Sequence, residues 1–268
     1  MEKKKDLSFR NKTIHYTEEG KLKPHTVVFL HGFTESLEIW DEFSADLSLD
    51  FKVICIDLPG HGKSQSVAES HTMELMADIV KAILDKENVA ECVMVGHSMG
   101  GYVALAFAEK YKSMMKGLCL FHSSSLPDTP EGKINRARAI EAIEKNYTGF
   151  VMNFIPDLFA ACNRKILESE IKLLIEKANT MGKEAIIAAQ KGMLEREDKR
   201  HVLQEANYPV LFIAGKQDTR VPFERVLEQI TIPKDTTALL LHDIAHMGYL
   251  EARDKTIYAV KCFVEGAY

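Results

Sequence analysis

The sequence predicts an α/β protein, a mostly parallel sheet flanked by helices, interrupted by an inserted all-helical segment. Three observations predict it. Short apolar runs alternate with helix-spaced segments from Thr26 to Phe121, as strands joined by right-handed helical crossovers do. The alternation then stops, and from about Thr129 to about Arg200 the apolar spacing is helical throughout. Strand-like runs resume at Pro209 and Thr237. The expected organisation is a core over residues 1–125, a helical cap over 126–205, and a return to the core over 206–268.

Taken in order, residues 7–16 alternate loosely and break near Asn11-Lys12, which predicts a short antiparallel hairpin. Thr26-Val27-Val28-Phe29-Leu30 is a continuous apolar run, the pattern of a strand buried on both faces. Residues 37–49 carry Ile39, Trp40, Phe43 and Leu47 at helical spacing. A second strand runs over 51–57, and Pro59 and two glycines mark the sharp loop after it. Residues 73–84 form an amphipathic helix, with Leu75, Met76, Ile79, Val80, Ile83 and Leu84 on one side. Val93-Met94-Val95 and Gly117-Leu118-Cys119-Leu120-Phe121 are two further strands, with a helix over 102–110 between them.

In the inserted segment, Ile134, Ala137, Ile140 and Ile143 share a helix face, as do Ile166, Leu167, Ile171, Leu174 and Ile175. Phe150, Met152, Phe154, Leu158 and Phe159 make a shorter apolar stretch broken by Pro156. A last helix is expected over 250–264.

Composition narrows the function classes. The chain has 268 residues, 46% hydrophobic and 27% charged, enough for one substantial core with an insertion. The formal net charge of −5 argues against nucleic-acid binding, and Lys3-Lys4-Lys5 reads as a solvated, frayed chain end. Five cysteines lie without C-x-x-C spacing, three of them (Cys55, Cys92, Cys119) in strand-like runs. Buried reduced thiols, and hence a cytoplasmic location, are expected. The first residues contain no apolar leader, and no apolar run approaches a membrane span. Neither metal-ligand spacing nor a Gly-rich phosphate loop is present, so no metal and no cofactor is expected. The expected partner is a small-molecule substrate; the sequence leaves the oligomeric state open.

The chemistry concentrates around Ser98. An apolar strand ends at Gly96, and His97-Ser98-Met99-Gly100-Gly101 leads into a helix. Strand, tight turn and helix with Gly-x-Ser-x-Gly across the turn is the nucleophile-elbow pattern, in which small residues two before and two after the serine let strand and helix approach. A serine hydroxyl needs a base and a group to orient that base. Asp218 follows a buried strand in Gly215-Lys216-Gln217-Asp218, and His246 follows the last strand, in the chain order Ser, Asp, His. Asp128 and Asp243 are rival acids. The backbone N–H groups of Phe33 and Met99 are the expected oxyanion donors. His31 reads as a loop-holding residue, whereas His61 and His97 are candidates for a direct role. Phe150, Met152, Phe154 and Phe159 are candidates to line an acyl pocket. The cap arginines Arg136, Arg138 and Arg164 are candidates to bind a substrate acid.

These segments together, with His31-Gly32-Phe33, Asp57-Leu58-Pro59-Gly60-His61-Gly62-Lys63-Ser64, Val221-Pro222 and Ala245-His246-Met247, resemble the α/β-hydrolase fold superfamily, in its cofactor-free branch with a helical cap. The resemblance covers the chain from about Thr26 onward. It implies a cap after the sixth core strand and a pocket between cap and sheet edge. It also implies reactions on esters, thioesters, lactones, amides, carbon–carbon bonds or peracids. Epoxide hydrolases and haloalkane dehalogenases of this fold place aspartate at the elbow, so Ser98 argues against both. The leading expectation is a carboxylesterase-like serine hydrolase working through an acyl-enzyme. The alternatives are a carbon–carbon hydrolase or lyase acting on a small polar acid with the same triad, and a non-catalytic ligand-binding member.

Overall fold

The structure, a computed structural model, describes residues 3–268. Eight strands form one sheet: β1 Lys3–Phe9, β2 Lys12–Glu19, β3 Thr26–Leu30, β4 Lys52–Ile56, β5 Cys92–His97, β6 Met115–Phe121, β7 Val210–Gly215 and β8 Thr236–Leu241. Their spatial order is β1-β2-β4-β3-β5-β6-β7-β8. The β1–β2 and β2–β4 pairs are antiparallel and all later pairs parallel. The order reverses around β3, so β3 and β5 lie side by side at the centre and their carboxyl ends open on one edge.

Strand residues alternate between two cores, one on each face of the sheet. Val28, Leu30, Ile54, Ile56, Met94, Leu118, Leu120 and Phe212 pack on one face. Val27, Phe29, Val53, Cys55, Val93, Val95, Cys119, Phe121, Leu211 and Ile213 pack on the other. Side chains of period two are apolar on both faces, which is why these strands are continuous apolar runs in the sequence. The first face is covered by α2 (Met73–Lys86) and α3 (Met99–Lys110), after α1 (Asp41–Leu47) in the chain. Thr72 caps α2, its hydroxyl accepting from the Leu75 N–H.

Five helices lie between β6 and β7: α4 Pro130–Lys145, α5 Tyr147–Phe154, α6 Glu168–Asn179, α7 Lys183–Glu195 and α8 Arg200–Gln204. After β7 come α9 Phe223–Leu227, α10 Gly248–Glu251 and α11 Arg253–Ala267. The last two divide at Ala252 what the sequence reads as a single helix. No helix among the described residues is long and apolar enough to cross a membrane.

Three sequence expectations are corrected. The Lys3-Lys4-Lys5 run is the start of β1 rather than a frayed end, since β1 pairs along its length with β2 and Lys5 bonds the carboxylates of Glu18 and Glu87. Met1 and Glu2 fall outside the described residues. The apolar stripe of α4 is mostly not core: Ile134 is 53% exposed and only Ile143 is fully buried. The helix meets α7 through polar atoms instead, Arg136 donating to Gln190 Oε1 at 2.8 Å. Ile166 likewise stands 78% exposed, because the chain turns before α6 begins at Glu168.

Backbone packs closely where α3 leaves β5. A Cβ on Gly100 would collide with the carbonyls of Leu30 and His31, and one on Gly96 would collide with the Gly100 carbonyl. Gly100→Ala is therefore expected to lose about 1–3 kcal/mol or more by overpacking against backbone. Gly182→Ala, where a Cβ meets nothing within 4 Å, should stay within about 1 kcal/mol of the parent. Urea midpoints compare the two, and equal midpoints would contradict the close approach.

Candidate active site

The elbow places Ser98. Its backbone takes φ 50 and ψ −113, a left-sided conformation that a non-glycine residue holds only when its surroundings over-determine it. The surroundings do so: β5 ends at His97, α3 begins at Met99, and the Ser98 N–H donates to the Phe121 carbonyl at 2.9 Å. The side chain is thereby lifted off the carboxyl edge of the central strands, beside the amino end of α3.

The loops after β7 and β8 bring up the partners. His246 Nε2 lies 2.8 Å from Ser98 Oγ, and His246 Nδ1 donates to Asp218 Oδ2 at 2.8 Å. Asp218 Oδ1 accepts from the N–H groups of Arg220 (2.8 Å) and Val221 (2.9 Å), so its own turn holds the carboxylate. Burial alone would raise the Asp218 pKa. The charge of His246 and hydrogen bonds from His122 and His246 outweigh it and hold the carboxyl far below the usual range. An ionised carboxylate behind an imidazole bonded to a hydroxyl is the arrangement that lets the hydroxyl lose its proton as it attacks.

The rival acids are elsewhere. Asp128 bonds Arg136 (Nε, 2.7 Å) and Arg196 (Nη2, 2.7 Å), and those bonds overcome burial to bring its pKa down to about 2. Asp243 pairs with His242 on the surface. Phe33 lies at the end of the β3 loop, and among the described residues no turn, loop or cap carbonyl takes the N–H of Phe33 or Met99.

His31, His61 and His97, the other histidines the sequence singles out, are buried and hold loops. His31 Nε2 accepts from the Leu58 N–H at 2.9 Å and its Nδ1 donates to the Gly32 carbonyl at 2.7 Å; burial takes its pKa down to about 4. His61 donates to the Pro59 carbonyl and packs against the rings of His31 and Phe33. His97 Nδ1 donates to Glu35 Oε2 at 2.9 Å and its Nε2 donates to the His246 carbonyl at 2.9 Å. Asp57 bonds the N–H groups of Leu37 and Lys63, tying the loop after β4 to the chain after β3.

A cleft of about 250 Å³ opens over Ser98, lined by Phe33, Ser98 and His246 below and by α4, Phe154, Leu158 and α7 residues above. Of the four proposed acyl-pocket side chains, only Phe154 reaches it. Phe150 stacks behind Phe154 with centroids 5.1 Å apart. Phe159 is buried in the opposite core, and Met152 is 57% exposed. The helix α5 turns one face inward, and the residue two before Phe154 necessarily faces solvent. Arg136 lines the cleft but is committed to Asp128 and Gln190. Arg138 is exposed, and Arg164 pairs with Asp157 outside the cleft.

Sequence reasoning missed four residues. His122, directly after β6, donates from Nδ1 to Asp218 Oδ2 at 3.2 Å, and burial takes its pKa down to about 4. Its position at the end of a central strand is the same signal that pointed to Asp218 and His246. Glu35 Oε2 accepts the Gly32 N–H (2.5 Å) as well as His97, and Tyr249 donates to Oε1. Arg220 lies over the Phe154 ring, 4.9 Å from its centroid, at the cleft wall.

Glu35 and His97 form a buried ion pair. Burial opposes charge on both, yet their mutual attraction and hydrogen bond win, so the His97 pKa is raised and the Glu35 pKa lowered. The raised His97 pKa stabilises fully below about pH 6.5, and that contribution is lost as pH rises through the raised value. The lowered Glu35 pKa stabilises fully above about pH 4.3, with loss as pH falls through the lowered value. Glu35→Ala is therefore expected to destabilise by about 3–5 kcal/mol near pH 5–6, with a smaller deficit at alkaline pH. Denaturation midpoints across pH test it, and a deficit independent of pH would contradict the charged pair.

A family model described as the α/β hydrolase fold matches residues 25–145. The chain is 26% identical over 239 residues to the dihydrolipoyllysine-residue acetyltransferase component of the acetoin cleaving system of Pseudomonas putida. That match covers 89% of this chain, which spans only 63% of that relative's length. It is 27% identical over 257 residues to 2-hydroxy-6-oxononadienedioate/2-hydroxy-6-oxononatrienedioate hydrolase 1 of Pseudomonas putida, covering 90% of this chain and 88% of that one. A thermophilic esterase from Thermogutta terrifontis, solved with malate bound, superimposes with a TM-score of 0.91 at 27% identity, over 99% of each chain. Sheet order, elbow and likeness agree, and the chain has the α/β-hydrolase fold.

Proposed function

We propose that the protein is a serine hydrolase that cleaves a small-molecule ester, thioester or lactone through an acyl-enzyme on Ser98. The observation that carries this reading is the chain of 2.8 Å contacts from Ser98 Oγ through His246 to the buried Asp218. His246 Nε2 takes the Ser98 proton as Oγ attacks the acyl carbon. Asp218 holds the ring in the Nδ1–H tautomer and stabilises the imidazolium that forms. The developing oxyanion is received by the N–H groups of Phe33 and Met99, the latter at the positive end of α3. His246 then returns the proton to the leaving alcohol, and water activated by the same imidazole releases the acid. Helices α4 to α8 serve as the cap (residues 126–205), closing the acyl side of the cleft.

The same triad suits the second reading, carbon–carbon bond hydrolysis on a small acid. The polar cleft wall of Asp128, Arg136 and Gln190, with the likeness to the oxononadienedioate hydrolase, favours it. The five free cysteines, three buried within strands, favour a reducing cytoplasm.

Ser98→Ala is expected to lower turnover of p-nitrophenyl acetate by roughly 10⁴–10⁶ and to abolish labelling by a fluorophosphonate probe. Asp218→Asn should fold normally and lose about 10⁴ in kcat through the wrong imidazole tautomer. Undiminished ester turnover in the Ser98→Ala protein would remove Ser98 from the reaction.

A further inference from the structure

The acids and arginines lining the cleft are Glu35, Asp128, Arg136 and Arg220. Three of them already have ion-pair partners. Glu35 is paired with His97. Asp128 is held by Arg136 and by Arg196, which sits over the Tyr102 ring, so two guanidinium groups serve one carboxylate. Arg220 is different. Among the described residues it makes no ion pair, and its guanidinium rests only against the face of Phe154. The two acids whose charge reaches it are both occupied, Asp157 with Arg164 and Asp218 with His122 and His246.

The position of Arg220 is fixed from beneath. Its own N–H donates to Asp218 Oδ1, which ties its backbone to the triad acid, and its guanidinium carbon lies over the Phe154 ring. A guanidinium stacked on an aromatic face keeps its in-plane N–H donors free, and those donors match the two oxygens of a carboxylate. Arg220 is exposed at the cleft rim, and an unpaired cation there raises the local concentration of anions.

We propose that Arg220 seats a carboxylate of the substrate, so that the ester cleaved is a half-ester of a small dicarboxylic acid. The inference rests on the hydrolase reading and names its substrate class. The free carboxylate lies against Arg220 at the cleft wall, and the ester carbonyl reaches Ser98 between the N–H groups of Phe33 and Met99.

The test compares the monomethyl esters of succinate, glutarate and adipate with their dimethyl esters, in the parent protein and in Arg220→Gln and Arg220→Lys. The expected result is a kcat/KM ratio favouring one half-ester over its diester by about 10–100-fold, carried by KM. The ratio should collapse toward one in Arg220→Gln and recover in part in Arg220→Lys. A ratio near one in the parent overturns the proposal. So does a parent ratio that survives Arg220→Gln, the result for a side chain that merely clasps Phe154. If neither ester is hydrolysed, the hydrolase reading falls on its own. Calorimetry of monomethyl glutarate on Ser98→Ala then decides the Arg220 site: binding at least about 10-fold weaker in Ser98→Ala/Arg220→Gln supports it, and an unchanged Kd overturns it.

Discussion

The contact on which the molecule depends is the near collision of α3 with β3 and β5. Gly100 rests against the carbonyls of Leu30 and His31, and Gly96 rests against Gly100. Only side chains without a Cβ permit that approach, and the approach is what forces Ser98 into positive φ. Backbone strain of this kind costs of order 1–3 kcal/mol, and it persists because two fully buried apolar faces hold the strands in place. The half-buried hydroxyl at the cleft floor is thus a consequence of core packing, and the loops after β3, β6, β7 and β8 are assembled around it.

Two buried carboxylates organise those loops. Asp218 receives His246, His122 and two backbone N–H groups, and Glu35 receives His97, Tyr249 and the Gly32 N–H. Each is ionised in a dry site because its donors are numerous and converge from different segments. They meet through His246, whose ring bonds Asp218 and whose carbonyl accepts from His97. A change at Glu35 therefore reaches the elbow, the loop carrying Phe33 and the loop carrying the imidazole at once.

The cleft wall follows different rules. Helix α4 presents polar atoms where an apolar stripe is expected, because it meets α7 through Arg136, with Asp128 and Gln190 as its partners. Two guanidinium groups there share the one Asp128 carboxylate, and Arg220 makes no ion pair among the described residues.

The mostly parallel sheet, the elbow turn and Ser98, Asp218 and His246 as candidates were read from the sequence. Buried strands are continuous apolar runs, and Gly96, Gly100 and Ser98 sit at a spacing dictated by local backbone sterics. What lay beyond the sequence was long-range pairing. That Asp128 belongs to two arginines and not to His246, that His122 stands behind Asp218, and that Phe154 faces the cleft while Met152 faces solvent are decisions of packing between segments. Hydrogen bonds and ion pairs between residues as far apart as Glu35 and His97, or His122 and Asp218, leave no periodicity in the chain. Their energy depends on distance and burial, which only the tertiary structure supplies.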